Sequence, residues 1–190
     1  MKEKKEDKMN NINVIKIDGI NEKLILKVLD ISYIDEIVQL EQDIFDGLDV
    51  KELYATSTKE EFREILEGKG KIVGAINSKN KLVAMGVYVD YGYNEHNYGY
   101  DLDLHGDNLL AVGQIESTIV RNEYRGNNLQ YKICTILEGF AKEEGKTMIA
   151  ATVSPKNPYS LNTFLKLGYT IEKEKIKYEG LNRYILKKNI

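Results

Sequence analysis

The chain has 190 residues, 42% of them hydrophobic, and a formal net charge of −3 with acids and bases interspersed. That length suits one domain with its own core, and the balanced charge argues against a nucleic-acid surface, which shows a basic excess. No apolar run approaches the ~20 residues of a membrane span; the single cysteine, Cys134, allows no intramolecular disulfide and points to a cytoplasmic setting.

The start, MKEKKEDKMN, is charged, lacks the apolar stretch of a signal peptide and reads as a disordered tail over 1–11, with a single domain over 12–190. NVIKIDGINEKLILKVLD reads as one or two strands, with Asp18-Gly19 as a hairpin turn. SYIDEIVQLEQDIF has helical spacing at Ile34, Ile37, Val38 and Phe45, and Ser32 with Asp35 resembles a capping box. A second helix opens with Thr58 and Glu61, continues through Phe62, Ile65 and Leu66, and stops at Gly68 and Gly70. The period then changes: KIVGAI, the turn NSKNK and LVAMGVYVDYGY read as a hairpin. LLAVGQIESTIV is another strand. A helix after Gly126 presents Leu129, Ile133, Ile136, Leu137 and Phe140 on one face, and KTMIAATVS is a buried strand. NPYSLNTFLKLG is a short helix with Asn157 at the N-cap, Pro158 at the first helical position and Gly168 past the end. YTIEKEKIKY, the turn EG and LNRYILKK make a last hairpin. The order predicts a mixed α/β sheet covered by helices, and not the strict alternation of a doubly wound fold.

The turn RNEYRGNNLQ (residues 121–130) joins the strand QIESTIV to a helix. A helix start leaves backbone N–H groups without intrahelical partners and carries positive partial charge, so a tight entry turn can aim those amides at a pyrophosphate. Gly126 removes a Cβ there, Asn tolerates a left-handed backbone at 127 and 128, and Arg125 adds a cation. Read alone, the turn leans to an ordinary strand–helix junction with good capping residues.

The element order shifts that balance. IVRNEYRGNNLQ resembles the pyrophosphate motif of the GNAT superfamily of acyl-CoA-dependent N-acetyltransferases, and NPYSLNTFLKLGYTI resembles the family's later helix. The order of elements fits from about Lys23 to Lys188. The resemblance implies an α/β fold with a mostly antiparallel twisted sheet, a splayed central parallel pair and helices on both faces. It implies acetyl-CoA as co-substrate and transfer to a primary amine of a small molecule, amino acid or peptide. The coenzyme pyrophosphate would then lie on the amides of Arg125, Gly126, Asn127, Asn128, Leu129 and Gln130. Its pantetheine arm would pair with Thr118, Ile119 and Val120 like an added strand, near Asn157, whose simpler reading is a helix cap. The family has glycine or alanine where this chain has Asn128 and Gln130, so the Gln130 side chain should point away from the phosphates. At the family's acid tyrosine stands Phe164, which cannot donate a proton. Tyr159 or Tyr169, close in sequence, or water is left for that role, or the acid is absent.

Acetyl transfer needs a deprotonated amine and a polarised thioester carbonyl. The resemblance puts the oxyanion donor at the Val120 amide. Glu116, the one charge in QIESTIV, is the candidate base, because apolar neighbours raise a carboxyl pKa; it can equally be a glutamate facing solvent or pairing with a lysine. The tyrosine-rich segment 91–107 falls where family members build a substrate wall, with Tyr91 and Tyr100 as candidates there. Alternation in DLDLHGD would put Tyr100, Leu102 and Leu104 on one strand face and Asp101, Asp103 and His105 on the other; those acids could attract a cationic amine. The match to a calcium loop fails at Val112, and His96 and His105 read as surface residues, so no metal is expected. In the last hairpin Tyr178, Arg183 and above all Tyr184 could touch substrate. Cys134 reads as a packing residue. No nucleic acid or membrane partner is expected; a homodimer is compatible with the family. Two readings from other classes stay open: a non-catalytic acyl-CoA-binding or regulatory module, and a plain α/β domain binding something at 91–107.

Overall fold

The computed structural model describes residues 10–190. Hairpin strands β1 (Asn10–Ile15) and β2 (Asn21–Val28) flank the Asp18-Gly19 turn, where Gly19 takes φ +85°. The expected tail lies outside the described residues at 1–9. Its last two residues do not belong to it: Asn10 and Asn11 pair with Leu26 and Ile25. Helices α1 (Ile34–Asp46) and α2 (Lys59–Glu64) lead to β3 (Gly70–Ile76), which turns into β4 (Leu82–Val89). Short helical turns then lead to β5 (Val112–Val120), and α3 (Leu129–Glu143) crosses to β6 (Met148–Val153). Helix α4 (Pro158–Lys166) precedes the hairpin β7 (Thr170–Lys177) and β8 (Leu181–Asn189).

The eight strands form one sheet in the order β1-β2-β3-β4-β5-β6-β8-β7. Every neighbouring pair is antiparallel except β5–β6, which α3 connects in parallel. Side-chain alternation gives the sheet two apolar faces. Ile133, Leu137 and Phe164 from α3 and α4 pack on one, against Val83, Tyr88, Ile115 and Leu186. Ile37, Leu40 and Phe62 from α1 and α2 pack on the other, against Ile72, Met85, Val87 and Ile119. Cys134 is buried in the first layer, as its packing role predicts.

Local signals explain most boundaries. Thr58 and Glu61 form a reciprocal capping box, with Thr58 N–H donating to Glu61 Oε2 at 2.6 Å. Asn157 caps α4 by accepting from Ser160 N–H at 3.1 Å, and Gly168 ends the turn at φ +92°. The Ser32–Asp35 box does not form. Asp30 accepts from Ser32 N–H at 2.9 Å instead, caps a single tight turn and delays α1 to Ile34, while Asp35 turns out to Lys59. The strand expected around 100–105 is also absent: Tyr100–Leu102 is a tight helical turn and Asp103 is left-handed at φ +59°. The buried Asn97 amide coils this segment, donating to the Gly92 and Leu109 carbonyls while its oxygen accepts from Gly99 N–H.

One irregularity positions the site. Along β4, Val87 faces Glu116 but Met85 faces Ile119, so β5 carries one extra residue. Ser117 takes it up at φ +46°, a left-handed backbone uncommon for a serine. Such a bulge bends its strand. Pairing of β5 with β6 stops at Ile115↔Ala151, while pairing with β4 runs on to Val120↔Ala84. Beyond Ile115 the parallel neighbours part. Gly86, opposite the bulge, is required for close packing: a Cβ there would sit 2.7 Å from Ile133 Cγ2.

Candidate active site

A cavity of about 510 Å³ opens where β5 and β6 part. Glu116, Ser117 and Thr118 wall it on one side, Thr152 and Ser154 on the other. Glu116 is half-buried, on the α1/α2 side of β5. Burial pushes its carboxyl pKa up, partly offset by hydrogen bonds from Gln114 and Tyr98. Gln114 is itself fixed, because its Oε1 accepts from Tyr98 N–H at 2.8 Å. The Tyr98 and Tyr178 phenols are in hydrogen-bond contact, and Tyr178 reaches Thr152 Oγ1 at 3.0 Å. A chain of polar groups thus runs from the glutamate across to β6. Tyr178 has φ +48° in the turn between β7 and β8, and burial pushes its pKa up to about 12. Glu179 beside it is left-handed too, at φ +59°, and Gly180 N–H donates to Lys177 O at 3.2 Å, so the backbone is that of a type I′ hairpin turn, which brings the Tyr178 side chain to the cavity.

Residues 53–57, ahead of α2, supply a further wall. Glu41 holds them: it is 4% exposed and accepts from Tyr54 O–H at 2.7 Å and Ser57 N–H at 3.0 Å. Burial pushes its pKa up as well. The sequence reading missed this wall. A signal existed, since Glu41 falls within the apolar stripe of Ile37, Leu40 and Ile44 on α1.

The expected coenzyme turn lies farther along β5. Asn128 adopts φ +55° as the N-cap of α3 and provides no side-chain cap, so the first-turn amides of the helix are not closed by it. Gly126 sits at φ +84° with nothing within 4 Å of an added Cβ, and Arg125 is exposed without an ion pair among the described residues. Asn127 turns its side chain away, accepting from Ile15 N–H at 2.9 Å and donating to Ile15 O at 2.8 Å, so only its backbone faces a ligand. Leu129 and Ile119 are core residues at 2% and 5% exposure and can contribute only main-chain atoms. Gln130 does not point harmlessly outward. Its Nε2 donates to Thr118 Oγ1 and to Ser160 Oγ, each at 2.9 Å, spanning the gap between β5 and α4.

Several sequence expectations need correction. Val120 does not border the cavity that holds Glu116; its strand has moved on toward the turn. Arg121 N–H donates to Val83 O at 2.9 Å, so by strand alternation the Val120 amide faces the open gap. Tyr91 lines the cavity, but Tyr100 and Tyr184 do not. Tyr100 donates to Tyr93 O in its own coiled segment, and Tyr184 packs into the α3/α4 layer, one residue out of phase with Arg183, which does line the cavity. Asp101 is not a free acid for a cationic amine; Lys175 and Lys177 both hold it, at 2.8 and 2.5 Å. Asn157 and Phe164 border the cavity. Phe164 meets Tyr169 edge-on, with centroids 5.0 Å apart, and Tyr169's phenol is buried behind it; Tyr159 is 86% exposed. Neither tyrosine borders the cavity, whereas Tyr54, Tyr91, Tyr98 and Tyr178 do.

Residues 34–169 match the model of the Acetyltransferase (GNAT) family, and the chain belongs to that family. No curated protein matches the chain. Among solved structures, it is similar to a GNAT-family acetyltransferase from Streptococcus pneumoniae, with a TM-score of 0.67 at 15% identity over 88% of this chain and 99% of that one. A putative acetyltransferase from Salmonella typhimurium, solved with its cofactor acetyl-CoA, aligns at a TM-score of 0.66 and 13% identity over 87% and 93%. Arabidopsis thaliana NAA60, in complex with acetyl-CoA, aligns at 0.71 and 12% over 88% and 98%.

Proposed function

We propose that the protein transfers an acetyl group from acetyl-CoA to a primary amine by direct attack, with Glu116 as general base. The observation that carries this reading is a carboxylate of raised pKa at the point where β5 and β6 part, facing an open cavity. The residues fit the coenzyme in two respects. The α3 start is left uncapped by Asn128 and unobstructed at Gly126, which suits a pyrophosphate. The free β5 edge over 118–120 suits the amides of a pantetheine arm. Gln130 must yield its two hydrogen bonds to admit that arm.

Acetyl-CoA supplies a thioester, whose C–S bond breaks as the acceptor nitrogen bonds the acetyl carbon. Glu116 takes the amine's proton, directly or through one water, because an ammonium has no lone pair. A desolvated carboxylate is the stronger base for this step. With Val120 outside the cavity, stabilisation of the developing oxyanion falls to the β5 amides that border it, at Ser117 and Thr118. Tyr178 is the phenol placed to return a proton to the leaving thiolate, through a position unrelated to that of Phe164. A thiolate leaves without much assistance, since thiols ionise in an ordinary range near 8.5.

The decisive experiment is thermal unfolding with acetyl-CoA against ADP, followed by an amine screen on Glu116→Gln and the parent protein. At 100 times its dissociation constant a ligand stabilises by ~2.7 kcal/mol, a shift of several degrees. Glu116→Gln should keep that shift and lose turnover. A non-catalytic acyl-CoA-binding module is the second reading, favoured by Phe164 and by Gln130 across the gap. It predicts the same shift and no turnover in either protein. No shift at millimolar acetyl-CoA excludes both.

A further inference from the structure

Arg183 is a charge in the cavity wall to which the proposed transfer gives no role. It is 3% exposed and lines the cavity. Its Nη1 donates to Glu52 O at 2.9 Å and to Asn182 O at 2.8 Å. Its Nη2 is buried without an acceptor among the described residues. No carboxylate there pairs with it: the Glu52 carboxylate goes to Lys156. Arginine stays protonated even though burial lowers its pKa, so this is a buried cation whose nearest carboxylate, Glu52, is paired to Lys156 and acts on it only at a distance. Such a group is costly unless something completes it. A planar fork with a free donor edge suits a carboxylate.

The surroundings keep this end of the cavity cationic. Lys175 and Lys177, also in the wall, share one carboxylate, Asp101. Arg183, Lys175 and Lys177 thus share this part of the wall with Asp101, the acid that pairs with the two lysines. Glu116 lies in the same cavity, and the Glu61 carboxylate bears on it. Glu116 and Arg183 both act on the Tyr178 phenol, which is bonded to that of Tyr98, and the Arg183 guanidinium sits 5.7 Å from the Tyr178 ring centroid. A polycation would meet repulsion at the Arg183 end, and a simple amine would leave that end unmatched.

We infer that the acceptor is a small amino acid, an amine that carries its own carboxylate, bound with the carboxylate on Arg183 and the amine toward Glu116. The fate of the amine rests on the transfer reading; the carboxylate site does not. Arg183 is then a specificity residue, and its bond to Glu52 O braces it for that purpose.

The test is binding of the standard amino acids, each beside its own carboxamide, to the full chain by calorimetry, with thiol release from acetyl-CoA recorded separately. At least one acid should bind about ten-fold or more tighter than its amide, the worth of a charge-assisted pair. Arg183→Gln should erase that advantage, and Arg183→Lys, which keeps the charge but loses the fork, should restore part of it. The inference is overturned if no pair prefers the acid, including the case in which nothing binds at millimolar concentration. It is equally overturned if the preference survives in folded Arg183→Gln. Should Arg183→Gln not fold, an undiminished preference in Arg183→Lys overturns it. Carboxylate preference without thiol release sustains this site and sinks the transfer reading; transfer to amines irrespective of a carboxylate does the reverse.

Discussion

Replacing Gln130 by alanine tests the proposed coenzyme groove and how it is closed. The side chain makes two neutral hydrogen bonds at 2.9 Å, one to Thr118 on β5 and one to Ser160 on α4. Each is worth ~1 kcal/mol net, and both must break before a ligand strand can lie along 118–120. If the bound arm replaces one of them in part, the cost carried in the parent protein is about 1–2 kcal/mol, or roughly a 5- to 30-fold weaker dissociation constant. Gln130→Ala should therefore tighten acetyl-CoA binding by that factor in a calorimetric titration. The same variant without ligand loses both bonds and should melt about 4–8 °C lower, having lost a tie between β5 and α4. An unchanged or weakened affinity would refute the reasoning, because the glutamine would then be a neutral bystander or a coenzyme ligand in its own right.

The acid limb of kcat/KM in the parent protein should lie above the ordinary glutamate range, because burial raises the Glu116 carboxyl's pKa, and Glu116→Gln should lose turnover at every pH. The folded state holds this proton to higher pH than the unfolded chain does. Stability should thus fall as pH rises from the ordinary glutamate value through the raised one, and denaturant titrations of Glu116→Gln should show a shallower slope, the remainder being the share of Glu41, whose pKa burial also raises. Tyr178→Phe should lower kcat about ten-fold while leaving the KM for acetyl-CoA unchanged in steady-state assays, the modest loss expected when the leaving group is a thiolate. Asn127→Ala removes the bonds that tie the turn to Ile15. It should lower the unfolding free energy in urea by ~1–2 kcal/mol.

Legibility in the sequence followed the range of each signal. The Thr58 and Asn157 caps, the α3 stripe and the Gly126 turn depend on residues within a few positions of one another, and each was readable. The Ser32 cap failed because Asp30, two residues upstream, competes for the same amide. Glu116 was found because one charge in an apolar strand is conspicuous. Tyr184 was chosen over Arg183 because strand phase is fixed by the neighbours β6 and β7, and a shift of one residue exchanges the faces. Tyr98 was missed because it enters the site only through the coiling around Asn97. The bulge at Ser117 shows in QIESTIV only as three polar residues in a row, Glu116 to Thr118, a break in alternation that does not by itself distinguish a bulge from a polar strand end.

That extra residue has a consequence for how the protein behaves before any ligand arrives. An interrupted ladder in mid-sheet is chemically an edge, and edges recruit whatever extended chain comes near. Here the exposed stretch is short and sits in a crevice narrowed by the Gln130 bridge, so it can select a slim amide-bearing ligand over a broad polypeptide. Deleting Ser117 would bring β5 back into step with β4, the neighbour against which its register shifts, and straighten the strand where it parts from β6. On the acetyl-transfer reading, the outcome would be a more regular sheet without the opening a coenzyme needs, and the capacity to bind would rest on a single residue of misfit that the ligand uses as its docking rail.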